Sequence, residues 1–109
     1  MSTPVQYDGI KKLNEMRTHG VANDYREHMD DKEVLHVKFQ EGGTATTERN
    51  GVFIEDLLIV AYAKLDEYNK HLPSRENSLA LTKIEEALQW LNSRKAEREY
   101  RDVYGTESK

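Results

Sequence analysis

Cysteine is absent from this chain of 109 residues, which excludes a disulfide framework and any thiolate metal site and fits a reducing compartment. No apolar run approaches the roughly 20 residues that a membrane span requires. The opening Met1-Ser2-Thr3-Pro4-Val5-Gln6-Tyr7-Asp8 has neither the charged nor the apolar region of a signal peptide, so a cytoplasmic location with no membrane partner is expected. An excess of positive charge is missing too. The formal net charge is −4, whereas nucleic-acid polymers are held by broad basic surfaces that release counterions. Such polymers are not expected partners, although a small anion needs only a local pocket.

Catalytic signatures are equally sparse. Gly42-Gly43-Thr44 lacks the lysine of a phosphate loop, and no nucleophile motif is present. His19, His28, His36 and His71 show no metal-ligand spacing, and His28 with Asp30 and His36 is only a faint constellation. Glu55-Asp56 and Glu85-Glu86 are neighbours on helices, where successive side chains point about 100° apart, so they read as solvated faces rather than as an acid and its base. No catalysis, cofactor or metal is expected.

What is present is concentrated between Ser74 and Leu91. Pro73 and Ser74 end the preceding segment and place a hydroxyl where the orphan amides of a helix start need an acceptor. Leu81, Ile84, Leu88 and Leu91, joined by Ala80 and Ala87, recur every three or four residues and form one apolar stripe, with Lys83, Glu86 and Arg94 outside it. Upstream, Ile54, Leu57, Leu58, Ala61, Leu65 and Tyr68 repeat that spacing. His71 to Ser74 is a connection of the length used by helical hairpins, so two antiparallel helices follow. A two-helix hairpin cannot offset its ordering entropy with so few apolar side chains, so the cover is either the N-terminal half or a second copy, and a stripe this long favours a homo-oligomer.

Before Lys32, Ile10, Leu13 and Met16 hint at a short helix after Asp8, but Gly20 and Asn23 interrupt it and charges dominate through Asp31. From Val34 the run Val-Leu-His-Val-Lys-Phe-Gln has a period near two; Glu41-Gly42-Gly43 supplies a turn and Thr44 to Glu48 a threonine-rich return, predicting a β-hairpin. Asn50-Gly51 is read as the bend into the first long helix. The expected fold class is therefore α+β in a single domain. A helical or irregular segment (1–32) precedes a small antiparallel β-hairpin (33–50), then a helical hairpin (51–101, with helices of about 53–70 and 75–99) and a tail (102–109).

Several of these segments carry a resemblance. Asn50-Gly51-Val52, Glu55-Asp56-Leu57-Leu58, the long motif Arg75-Glu76-Asn77-Ser78-Leu79-Ala80-Leu81-Thr82-Lys83-Ile84-Glu85-Glu86-Ala87-Leu88, Trp90-Leu91 and Gly105-Thr106 resemble the helical-hairpin domain shared by phage anti-CBASS and Thoeris anti-defence sponge proteins. Val37-Lys38-Phe39-Gln40-Glu41-Gly42 is similar to the strand lead-in of the first Thoeris anti-defence branch. The chain departs from the family pattern at Asp102, at Tyr104 and at His71-Leu72-Pro73. The resemblance implies a phage protein that binds cyclic nucleotide immune signals, namely glyco-cyclic ADP-ribose isomers and cyclic di- or trinucleotides. It would withhold them from host effectors without cleaving them and assemble with itself as a dimer or hexamer.

Sequestration of such a ligand asks for guanidinium forks and helix-start amides for phosphates and for aromatic faces for bases. Arg75, Asn77 and Thr82 at the second helix start supply one candidate set, with the amides of Glu76 and Asn77. Arg94, Arg98, Arg101, Tyr104 and Thr106 near its end supply another. Arg75 is equally readable as a solvated charge and Thr82 as plain surface, and Glu97, Glu99 and Asp102 can ion-pair the second set. Trp90 adjoins Leu91 and reads first as core, with stacking on a base as its alternative. A different class of function remains open, a helical-hairpin adaptor or inhibitor that offers its apolar face to a host protein.

Overall fold

A computed structural model describes residues 7–43 and 47–105, the side chains of 96–105 excepted. The element order is α1 (Gly9–His19), β1 (Asp24–Met29), β2 (Lys32–Lys38), α2 (Ile54–His71) and α3 (Arg75–Gly105), and it divides into two compact units, 1–52 and 53–109. The fold is α+β, an antiparallel β-hairpin followed by long helices.

In the first unit, Asp8 caps α1 by accepting the Lys11 amide at 3.0 Å. Gly20 ends that helix with φ of 78°, a conformation that side chains with a Cβ disfavour. The chain then enters β1, which pairs antiparallel with β2 from Asp24↔Lys38 to Met29↔Lys32. Val34 begins no hairpin of its own: the Val34–Lys38 run pairs backward with the charged segment before it, not forward with the threonine-rich one. Residues 44–46 of that expected return strand lie outside the described residues. The reason is the turn. Asp30 and Asp31 have φ of 51° and 63°, the two left-handed residues of a tight two-residue hairpin loop, and short carboxylate side chains tolerate that region. A bulge at Glu27/His28 then shifts the register and breaks the two-residue period.

Val37, 7% exposed, is the buried apolar residue among the described residues of this unit. A charged cluster ties α1 to β1. Lys12 Nζ lies 2.6 Å from Glu27 Oε1, and Tyr25 donates its hydroxyl to the same carboxyl group. The hydrogen bond from Lys12, then that from Tyr25, holds the Glu27 carboxyl below its ordinary range, while Glu27 pushes both Lys12 and Tyr25 up. Across the strands, His36 Nε2 and Asp24 Oδ1 stand 2.6 Å apart, and this bond lowers the Asp24 carboxyl.

After β2 the chain makes a loop closed by two carboxamides. Gln40 Oε1 accepts the amides of Asn50 (2.8 Å) and Gly51 (3.1 Å), and its Nε2 donates to the Glu48 carbonyl at 3.2 Å. Asn50 answers by accepting the Glu41 amide and donating to the Glu41 carbonyl, both at 2.9 Å. Phe39 and Val52 form a parallel bridge at the loop's neck. Gly51 is required there, because a Cβ would stand 2.5 Å from the Lys38 carbonyl oxygen and from the Phe39 carbonyl carbon.

In the second unit, the half-buried positions of α3 are Asn77, Leu81, Ile84, Ala87, Leu88 and Leu91, a strip recurring at steps of four and three, with Leu81 buried at 7% exposure. On α2 the inward strip is Leu57, Leu58, Tyr62, Leu65 and Asn69. Ile54, Ala61, Tyr68 and Ala80 are exposed, so the α2 strip is rotated relative to the expected one. The rotation brings two polar groups inward to partners on α3: Tyr62 donates its hydroxyl to Glu85, and Asn69 Nδ2 lies 3.5 Å from Ser78 Oγ. Each partner pair is seven residues from the next on both helices, which fixes the antiparallel register.

Two outcomes test the first unit. Gly51→Ala is expected to cost about 1–3 kcal/mol through forced backbone displacement, measured by chemical denaturation of the full chain. Because Asp24 and Glu27 are lowered in the folded state, the stability they contribute is present above their unfolded values and is lost as pH falls through the folded ones. Folded signal should therefore decline below about pH 4. Glu27→Gln should flatten that acid limb in a pH titration followed by the NMR signals of Tyr25.

Candidate functional site

α3 begins as its sequence suggests. Ser74 is the cap: its Oγ accepts the Asn77 amide at 3.0 Å, and its carbonyl accepts the Ser78 amide at 3.1 Å. One of the amides expected to face a ligand is therefore already taken by the cap itself. The connection is held from the other side by Asn69, whose Oδ1 accepts the Ser74 amide at 3.1 Å. The sequence reading missed Asn69; the signal was its position two residues before the end of α2, where a carboxamide can reach across a short turn.

Asn77 and Arg75 do not converge. Asn77 is half-buried on the strip facing α2, while Arg75 is exposed and, two residues away on a helix, points about 200° from it. Thr82 shares the Arg75 face, seven residues or roughly 10 Å along the axis. Its hydroxyl donates to the Ser78 carbonyl at 3.1 Å, leaving oxygen lone pairs outward. Arg75 and Thr82 thus form one small polar face near the start of α3, beside exposed Leu79.

Trp90 is not core. It is 76% exposed, on the side of α3 turned away from the α2-facing strip, and Arg94 follows one turn later, also exposed. A free indole beside a guanidinium can offer a stacking face and a phosphate partner together. Arg98, Arg101 and Tyr104 lie within the α3 span; their side chains fall outside the described residues, as does Thr106 altogether.

The two candidate sets are far apart. Arg75 and Arg94 are separated by 19 positions, about 28 Å of helix rise, more than one small ligand spans. Within one chain they are two faces and not one pocket. The second lies partly on an overhang: by the register of the ties, Ile54 at the start of α2 lies opposite residue 93, so α3 continues about 12 residues, or roughly 18 Å, past its partner helix.

The electrostatics of this unit are those of an open surface. Lys64–Glu67, Lys70–Asp66 and Lys83–Glu86 pair along the helices at 3.5, 3.2 and 3.6 Å, exposed contacts that add little stability. The Glu85 carboxylate raises the Tyr62 hydroxyl. Among the described residues no three His, Asp or Glu side chains gather as metal ligands, and no helix is long and apolar enough to cross a membrane.

A strip-packed pair of antiparallel helices with cations and one free indole on the outer face defines a helical-hairpin module. The chain belongs to the family described as Acb2/Tad1, hairpin domain, which matches residues 31–96. It is similar to Thoeris anti-defense 1 of Bacillus phage SBSphiJ7, with 47% identity over 74 residues, 67% of this chain and 52% of that protein. The chain spans about half the length of this curated relative. The family match takes in β2, the Gln40–Asn50 loop, α2 and α3 as far as residue 96, and stops short of Arg98, Arg101, Tyr104 and Thr106.

The cap and the turn can be weighed directly. Ser74→Ala should cost about 1 kcal/mol and Asn69→Ala about 1–2 kcal/mol, since the latter strands a half-buried amide, both read as shifts of the denaturation midpoint.

Proposed function

We propose that this protein is a phage anti-defence sponge: it binds cyclic nucleotide immune signals in the infected bacterial cytoplasm and withholds them from Thoeris or CBASS effectors without degrading them. Its ligands are glyco-cyclic ADP-ribose isomers or cyclic di- and trinucleotides. Membership of the Acb2/Tad1 hairpin family and the likeness to a protein named for Thoeris anti-defence support this reading. The observation that carries it is the exposed Trp90 one turn from Arg94, a base-stacking face next to a phosphate partner on a rigid helix. Stoichiometric capture needs a dissociation constant well below micromolar, more than about 8 kcal/mol of binding free energy. Charge-assisted phosphate contacts and one stacked base supply much of that.

Self-assembly completes the proposal. Leu81 is the buried apolar side chain of the second unit among the described residues, while Ile59, Val60, Tyr68 and Leu79 are about half exposed or more. Copies of the chain, as a dimer or hexamer, would cover those residues and would bring the Arg75 face of one chain near the Arg94 face of another. The same exposed side chains also support a second reading, an adaptor or inhibitor that binds a host protein.

A thermal-shift screen against cyclic ADP-ribose isomers and cyclic di- and trinucleotides, with linear NAD and ATP as controls, separates the two. A ligand held by the folded state raises the melting temperature by mass action, so one cyclic class should give a large shift. No shift with any of them, together with a monomer in sedimentation, sinks the sponge reading and favours the adaptor. Arg75→Ala and Arg101→Ala should each lose the shift while sedimenting like the parent.

A further inference from the structure

Asn50-Gly51 is the single Asn-Gly pair of the sequence. In an open chain that pair is chemically labile, because glycine leaves its backbone nitrogen unobstructed. The deprotonated Gly51 nitrogen attacks Asn50 Cγ, a new C–N bond closes a succinimide ring, and the carboxamide nitrogen departs as ammonia. Water then opens the ring to aspartate or isoaspartate, so the reaction consumes only solvent.

Every group that must move in this reaction is held in the loop. The Gly51 N–H, whose proton must leave, donates to Gln40 Oε1 at 3.1 Å. The Asn50 carboxamide, whose carbon must swing toward that nitrogen, is pinned at both ends to the backbone of Glu41 at 2.9 Å. The backbone at Gly51 has no room to turn, with Lys38 and Phe39 atoms 2.5–2.6 Å from where a Cβ would stand. Val52 on the following peptide is fixed by its amide donating to the Lys38 carbonyl at 2.8 Å.

We propose that Asn50 is a latent deamidation site held shut by Gln40, so that opening of this loop gates its conversion. The product undoes the loop that restrained it. A carboxylate at position 50 has no N–H to offer the Glu41 carbonyl and sets a second negative charge beside Glu41. Isoaspartate also lengthens the backbone at the neck where Phe39 bridges Val52.

The full chain, incubated in mildly alkaline buffer folded and in denaturant, is digested and position 50 is followed by mass spectrometry for the gain of one mass unit. The folded protein should convert at least about tenfold more slowly than the unfolded one, and Gln40→Ala, folded by circular dichroism, should close most of that gap. Equal rates for folded and unfolded parent, or a folded Gln40→Ala no faster than the parent, overturn the proposal. If Gln40→Ala fails to fold, the parent in sub-denaturing urea decides. Conversion that rises ahead of global unfolding supports the gate, and conversion that only tracks global unfolding overturns it.

Discussion

The antiparallel course of α2 and α3 rests on one half-buried carboxamide. Asn69 accepts the amide of Ser74 and reaches toward Ser78, and the Leu72 amide donates to the Tyr68 carbonyl, so a three-residue connection reverses the chain with each of its backbone N–H groups paired. Once that contact is made, the helices can meet in one register, and Tyr62 finds Glu85 seven residues further from the turn on both sides. The register in turn decides which side of α3 is covered. Leu81, Ile84, Leu88 and Leu91 go inward, and Trp90 and Arg94 are left on the outer side.

The N-terminal unit solves a similar problem with the same chemistry. Among its described residues it has one buried apolar side chain, Val37, so little hydrophobic burial is available to hold a loop of irregular backbone. Gln40 and Asn50 take over by giving the loop's amides and carbonyls the partners that a strand would have provided. The loop's neck then depends on a glycine, because two backbone segments approach within a distance that no other residue permits.

The helical hairpin was legible in the sequence because its signal is a period, and the period survives any error about single residues. The β-hairpin was legible in kind and displaced in place. Its turn is Asp30-Asp31, with no glycine or asparagine to announce it, and the bulge at Glu27 erased the alternation of β1. Trp90 reads first as core because it adjoins Leu91 in sequence, yet on the helix it points about 100° from Leu91, off the α2-facing strip, and is exposed. Asn69, Gln40 and Asn50 could not be weighed beforehand, since what makes them matter is the geometry of the amides they meet. Motif residues such as Gln40 and Gly51 prove to have a structural task in this chain, closing a loop. Arg75 and Arg94 were legible as charges near opposite ends of the second long helix.

The overhang of α3 past the start of α2 has an energetic meaning of its own. Beginning a helix is costly because several residues must be ordered before the first hydrogen bond forms, whereas lengthening an existing one fixes a single residue per bond. The packed half of α3 has already met the initiation cost against α2. The positions of Arg94, Arg98 and Arg101 are therefore added by propagation alone, and a stretch of helix that would be far too short-lived as a free peptide is carried on a nucleus assembled elsewhere in the same helix.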